Sequence, residues 1–119
     1  MTTTATILST TTYGQPSGNY DGSSQNWASD AQPAAEYYRG YGGLQTIAYS
    51  VTGFVGKLVL EATLDSDNNS ATWFTTSMYE STTVITDRHP VSISGNFTWM
   101  RVRVELFDAG TIDSVTITY

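Results

Sequence analysis

The most regular alternation of apolar and polar residues along the chain lies between residues 100 and 106. Every second position there is apolar, namely Met100, Val102, Val104 and Leu106. The positions between them are charged, namely Arg101, Arg103 and Glu105. Because successive side chains of a β-strand point to opposite faces, this pattern predicts a strand with one buried face. Turn-forming residues at 108–110 and a second alternating segment at 112–119 complete a predicted C-terminal β-hairpin.

Similar short segments occur throughout the second half of the chain, at residues 44–51, 57–64, 73–79, 83–86 and 91–93. Turn signals separate them, and little of the chain has a helical pattern. These features predict an all-β chain that folds as one antiparallel β-sandwich or jelly-roll-like domain over residues 1–119. The Thr-rich residues 1–12 form either a first strand of this sheet, which we favour, or an arm that pairs with a neighbouring subunit.

Residues 13–43 are rich in Gly, Pro and Ser and predict a long loop, with one or two helical turns at 33–40. This loop carries candidate contacts for a ligand or a partner, namely Tyr20, Trp27, Tyr37, Tyr38 and Tyr41. Such rings stack on sugars in a carbohydrate-binding module, or they anchor a protein partner. We favour a third interpretation, in which the rings fold over the sheet and complete its core, because an uncovered sheet face would expose apolar area.

Composition narrows the classes of function. Charged residues are 13% of the 119 residues, and the formal net charge is −6. This balance disfavours binding to nucleic acid by phosphate neutralisation and docking on an anionic membrane. The absence of cysteine excludes disulfides and cysteine-ligated metal centres, and it favours a reducing cytosol. No secretory signal pattern follows Met1, and no apolar run approaches the roughly 20 residues that span a bilayer.

Two segments carry candidate chemistry. Asp65 and Asp67 begin a D-x-D-x-N pattern, but Ser and Thr stand where an EF-hand needs Gly at position six and Glu at position twelve. A solvated turn is therefore favoured over a loose cation site. His89, the only histidine, lies near Asp87 without a nucleophile motif, which predicts a surface loop rather than part of a catalytic triad. No cofactor is predicted.

The charged face of residues 100–106 has two interpretations. Arg101 and Arg103 share their parity with Trp99 and Phe97, so these side chains form either a binding platform or, as we favour, a solvated or covered face. Glu61 and Glu105 occupy outward positions of regular strands, where charge normally indicates solvent. A carboxylate pair for glycoside hydrolysis is therefore not expected from them.

Several motifs together resemble a known group of proteins. They comprise residues 38–47 (YRGYGGLQTI), 52–58 (TGFVGKL), 60–65 (LEATLD), 73–74 (WF), 95–101 (GNFTWMR) and 109–119. In this order and spacing, over residues 37–119, they resemble small β-rich virion proteins of tailed bacteriophages, notably those of cyanobacteria. The likeness covers about two thirds of the chain.

The resemblance implies a non-enzymatic structural protein of the virion, made in the host cytoplasm and present in many copies. Its implied partners are other virion proteins, as a homo-oligomer or bound to the capsid. It brings no catalytic residue and no cofactor, and it leaves open a place in head decoration, neck, tail or baseplate. The alternative is a carbohydrate-binding module or a receptor-contacting fibre domain, which the aromatic loop would suit.

Overall fold

The structure is a computed structural model that describes residues 4–34, 43–65 and 72–119. The described residues are all-β and form one antiparallel sheet of seven strands. The strands are β1 (Thr4–Leu8), β2 (Thr11–Thr12), β3 (Trp27–Ala28), β4 (Gln32–Pro33), β5 (Leu44–Thr63), β6 (Phe74–Ser94) and β7 (Trp99–Thr118). The order is β1-β7-β5-β6, and β2, β3 and β4 also pair with β7. The predicted all-β class is confirmed.

Three strands of 20 or 21 residues make up most of the sheet. A straight strand of 20 residues would be about 66 Å long at roughly 3.3 Å per residue. The longest dimension of the molecule is only 38 Å, so β5, β6 and β7 must bend. Their bends coincide, because the pairing register of β5 shifts between Thr52 and Lys57 against β7 and between Val51 and Gly56 against β6.

The predicted C-terminal hairpin is wrong. Residues 100–106 and 112–118 are two parts of β7, and both pair with β5 rather than with each other. The turn-forming residues at 108–110 bend this strand without reversing it. Similarly, 44–51 and 57–63 are halves of β5, and the three segments predicted between 73 and 93 all lie in β6. Glycine and turn chemistry allow a bulge as readily as a reversal, and the shared neighbour β5 decides between them.

Bending gives the sheet two layers that face each other. The first layer contains β1, β2, residues 44–51 of β5, 87–94 of β6 and 111–118 of β7. The second contains β3, β4, residues 56–63 of β5, 74–81 of β6 and 99–105 of β7. Tyr49 of the first layer stacks on Tyr79 of the second at 5.7 Å between ring centroids. The arrangement is that of a β-sandwich built from strands that each enter both layers.

The bend also switches which positions face the core. In β5 the apolar side chains of the core cluster are at odd positions before it (Ile47, Tyr49 and Val51) and at even positions after it (Phe54, Leu58 and Leu60). In β7 the expected inward position Leu106 is 55% exposed, and Phe107 is fully buried in its place. Leu106 has a positive φ of 54°, so the backbone turns there and exchanges the two faces.

The segment before β5 closes the core instead of forming a free loop. β3 and β4 add short strands to the second layer within the predicted loop 13–43, and Pro33 is part of β4 rather than of a helical turn. The remaining part of that predicted helix, residues 35–40, lies outside the described residues. β1 pairs with β7 of its own chain, which agrees with the first-strand interpretation of residues 4–8 and not with the arm.

Candidate interaction surface

Tyr20 lies in the core of the sandwich, and Trp27 is half-buried and packs against that core. Tyr20 is 1% exposed, and its ring lies 5.2 Å from that of Phe107 and 5.3 Å from that of Trp27. Its hydroxyl accepts a hydrogen bond from the Gly14 N–H at 3.0 Å. The burial of Tyr20 leaves no ring face for a sugar or a partner, and the packing of Trp27 against it agrees with the structural interpretation. Tyr37, Tyr38 and Tyr41 lie outside the described residues.

Asp65 belongs to the turn after β5. Its Oδ2 accepts hydrogen bonds from the Thr72 N–H at 2.7 Å and from the Thr63 hydroxyl at 3.3 Å. Asp67, its predicted partner in a cation site, lies outside the described residues. Over residues 4–34, 43–65 and 72–119, no group of three or more His, Asp or Glu side chains is arranged to hold a metal ion.

A network of charges covers the outer face of the second layer. Glu61 is 5% exposed, and its carboxylate accepts from Arg101 at 2.8 Å and lies 3.3 Å from Arg103. The Arg101 guanidinium also lies 4.5 Å from the centroid of the Trp73 ring, within the range of a cation–π contact. The expectation that Glu61 faces solvent is therefore wrong. The two arginines point at this carboxylate, which disfavours their use as a binding platform.

We expect Glu61→Gln to lower the free energy of unfolding by about 1–2 kcal/mol, because two arginines lose a nearly buried counter-charge. Both arginines keep some solvent contact, which holds the loss below that of a fully buried pair. Glu105→Gln is the matched control, since Glu105 lies on the same face, 3.8 Å from Lys57 and 3.6 Å from Arg103, but is 31% exposed. Its expected loss in urea unfolding is under about 1 kcal/mol, and equal losses would contradict the assignment.

An aromatic cluster lies between the layers beside β6. Tyr79 stacks against Tyr49 and lies 5.3 Å from the ring of His89, and its hydroxyl donates to Asp87 Oδ2 at 3.0 Å. His89 is part of β6 rather than of a surface loop, and its side chain is exposed. The Asp87 carboxylate accepts hydrogen bonds from the Tyr79 hydroxyl and from the Arg88 N–H. Nothing in this geometry forms a triad.

Burial raises the pKa of Tyr49 from its ordinary value of 10 to about 12. The folded protein therefore holds this proton more tightly than the unfolded chain does. The stabilisation is complete below pH 10 and is lost as the pH rises from 10 to 12. We expect the free energy of unfolding to fall over that interval, by on the order of 2 kcal/mol from this group. In pH-dependent unfolding Tyr49→Phe should reduce this fall, and an unchanged fall would contradict the assignment.

Among the described residues, the free side of β6 is the longest sheet edge to which no strand is paired. The strand order places β6 at the edge of the sheet, and in the described parts of the chain only β5 pairs with it. Three of its apolar side chains are exposed: Val84 (70%), Met78 (59%) and Phe74 (41%). We refer to the side of residues 74–94 that faces away from β5 as the β6 edge.

Backbone hydrogen bonds show which residues of β6 direct their N–H and C=O groups toward the β6 edge in the first layer. The Gly95 N–H donates to the Gly43 carbonyl at 2.8 Å, so these two residues are a hydrogen-bonded pair at the start of the β5–β6 ladder. In an antiparallel ladder bonded and non-bonded pairs alternate. Arg88, Pro90 and Ser92 are therefore in non-bonded pairs, and their backbone groups face the β6 edge. Proline, which has no N–H, is found in sheets at such edge positions.

Backbone hydrogen bonds also show which β6 residues direct their N–H and C=O groups to the edge in the second layer. The Thr98 N–H donates to the Thr63 carbonyl at 3.0 Å, so Thr63 points its carbonyl toward the β7 side. By alternation along β5, Val59 and Lys57 also point toward β7. Their partners in β6 are Met78 and Glu80, respectively. The backbone groups of Met78 and Glu80 therefore face the β6 edge as well.

A shallow cavity of about 220 Å³ lies at the bend and contacts this edge. Glu80, Leu106 and Asp108 are among its lining residues. It is open to solvent, and its two carboxylates do not suit an anionic ligand.

Sequence reasoning missed the β6 edge because it divided β6 into three strands with loops between them. Pro90 was the available signal: proline inside a strand indicates an edge position. None of the described residues belongs to a helix long and apolar enough to cross a membrane.

The described residues define the class: an all-β, sandwich-like domain in which the long strand β6 pairs on one side only. In comparisons with known proteins, no family model matches the chain, and no curated protein or solved structure matches it significantly. The resemblance to phage virion proteins therefore stays a prediction.

Proposed function

We propose that this protein is a non-enzymatic structural component of a tailed-phage particle that works through protein–protein contacts. The observation that carries the proposal is the β6 edge. In the described parts of the chain no strand pairs with its 21 residues on this side, and Val84 and Met78 are exposed there. The motif resemblance over residues 37–119 gives the particle context.

An edge of this kind suits assembly for a physical reason. Unpaired strand edges accept further strands, and most proteins therefore protect them with short strands, charges or covering segments. Strand addition gives affinity through the backbone and specificity through side chains of alternate residues. In β6 the exposed apolar side chains supply area that a partner would remove from water.

Quantitative mass spectrometry of purified particles from the source of the sequence tests this proposal. We expect this chain at a defined ratio to the major capsid protein. A ratio near one, or a simple fraction of it, would indicate head decoration, whereas a few copies per particle would indicate neck, tail or baseplate. Absence from particles that contain the other structural proteins would overturn the proposal.

A further inference from the structure

We infer that the partner of the β6 edge is β6 of a second copy of this chain, paired antiparallel about a two-fold axis at Val84. The inference rests on the proposed function in that it names the partner of the same surface. Four features of β6 support it: its charges, its backbone directions, the match of its faces and its passage through both layers.

Charge and length select one register. Val84 is the middle residue of β6, which runs from Phe74 to Ser94. Antiparallel pairing centred on it overlaps residues 77–91, because the β6 register against β5 shifts beyond Ser77, and it places Glu80 opposite Arg88 of the second copy. The two-fold axis generates this contact twice, so the interface contains two Glu80–Arg88 ion pairs. A shift of two residues in either direction separates the charges and shortens the overlap, which gives the register specificity.

The backbone directions agree with this register. Glu80 and Arg88 both point their backbone groups to the β6 edge, as derived above from the hydrogen bonds at Thr63 and Gly43. Facing each other, they form a hydrogen-bonded pair that exchanges two backbone bonds once the Arg88 N–H, which donates to Asp87 Oδ1 at 2.8 Å within the single chain, turns to the Glu80 carbonyl of the second copy. Met78 and Pro90 meet in the next such pair, where proline can accept but cannot donate. A register shifted by an odd number of residues would place residues whose backbone groups face the β6 edge opposite residues whose backbone groups face β5.

The faces of the sheet also match. Glu80 pairs with Lys57 on the outer face of the second layer, and Arg88 pairs with Ser50 on the outer face of the first. Their charged side chains therefore meet outside the core. In the same register His89 lies opposite Tyr79 of the second copy, and both belong to the aromatic cluster on the inner side.

The bend in β6 makes a two-fold arrangement possible for both layers at once. Residues 74–81 lie in the second layer and residues 87–94 in the first. A two-fold axis along the bend places the second-layer half of one copy beside the first-layer half of the other. Each layer then continues across the interface as one antiparallel sheet. Such an isologous contact uses both β6 edges and closes at two copies.

The first test is the mass of the purified chain in solution by sedimentation equilibrium over a range of concentrations. We expect a dimer of the 13.0 kDa chain. Arg88→Glu places like charges opposite each other and should weaken dimerisation at least about tenfold. The double variant Glu80→Arg with Arg88→Glu exchanges the charges and should restore it, which only self-pairing in this register explains. Asp30→Arg, an exposed charge reversal away from β6, is the matched control and should have no effect.

A second test locates the axis. The chain has no cysteine, so Val84→Cys introduces a single thiol that faces its own symmetry mate. Mild oxidation should give a disulfide-linked dimer. Leu64→Cys, at a position 59% exposed and outside β6, should not. Circular dichroism of each variant shows whether it has kept its fold.

A chain that stays monomeric at all concentrations, or a dimer unaffected by Arg88→Glu and not linked through Val84→Cys, would overturn the inference. A monomer whose incorporation into particles is lost on Arg88→Glu would assign the edge to a different virion protein, which also overturns it. These results are separate from the proposed function. A monomer found in particles contradicts only the inference, and a dimer absent from particles contradicts only the function.

Discussion

Replacement of Gly110 by Ala is expected to destabilise the protein by about 3 kcal/mol or more, because the backbone around it cannot move apart. Gly110 has φ +85°, and an added Cβ would overlap the Gly53 carbonyl and lie 2.7 Å from the Phe54 nitrogen. These are backbone atoms at the coincident bends of β5 and β7, so no side-chain rotation relieves the contact. Urea unfolding measures the loss.

Gly14 offers a matched control for this prediction. Its φ of +86° is nearly the same, but nothing lies within 4 Å of an added Cβ. Gly14→Ala therefore carries only the cost of a left-handed conformation, about 1–2 kcal/mol. The difference between the stability losses of the two variants measures the cost of the close contact between β5 and β7 at Gly110. If both variants lost the same stability, the contact between the bends would not be as close as the structure has it.

Phe107→Ala is expected to cost about 3–5 kcal/mol, the usual range for deleting a buried aromatic ring. Phe107 is fully buried and lies between the rings of Tyr20 at 5.2 Å and Phe54 at 5.9 Å. Its loss would leave a cavity where the N-terminal segment meets the bend. Because small domains are stable by only about 5–15 kcal/mol, a large part of the total stability would be lost.

The neighbouring residue provides the control for Phe107. Leu106 is 55% exposed, so Leu106→Ala should cost less than about 1 kcal/mol in the same thermal or urea unfolding experiment. The sequence pattern alone predicts the reverse order, since it places Leu106 inward. A larger loss for Leu106→Ala would therefore support the regular alternation over the observed bend.

Local alternation was sufficient to predict the class of fold and most of the core. Ile47 and Tyr49, like Val102 and Val104, are buried as their parity predicts. The same pattern could not show that paired segments are halves of one strand. A glycine-containing segment has the same composition whether the chain reverses or bends, and the difference depends on which distant strand lies beside it.

The surface was less predictable than the core. The sequence pattern predicts that Glu61 is exposed to solvent, because a charged side chain on a strand usually is. Its pairing with two arginines depends on the β5–β7 register, which places it opposite Arg101. The β6 edge required the strand order as well as the strands themselves. Pro90 indicated an edge, but only the hydrogen-bonded order shows that the edge is continuous over the whole of β6.

The passage of β5, β6 and β7 through both layers has a consequence for how the protein unfolds. Neither layer is a separate segment of chain, so one cannot open while the other keeps its strands in place. The molecule should behave as a single cooperative unit, and slow amide exchange should report one common opening energy for both layers rather than two. Most of its pairings join residues distant in sequence, which favours folding on a timescale of milliseconds to seconds. A substitution that destabilises the bend is therefore expected to affect β5, β6 and β7 in both layers at once.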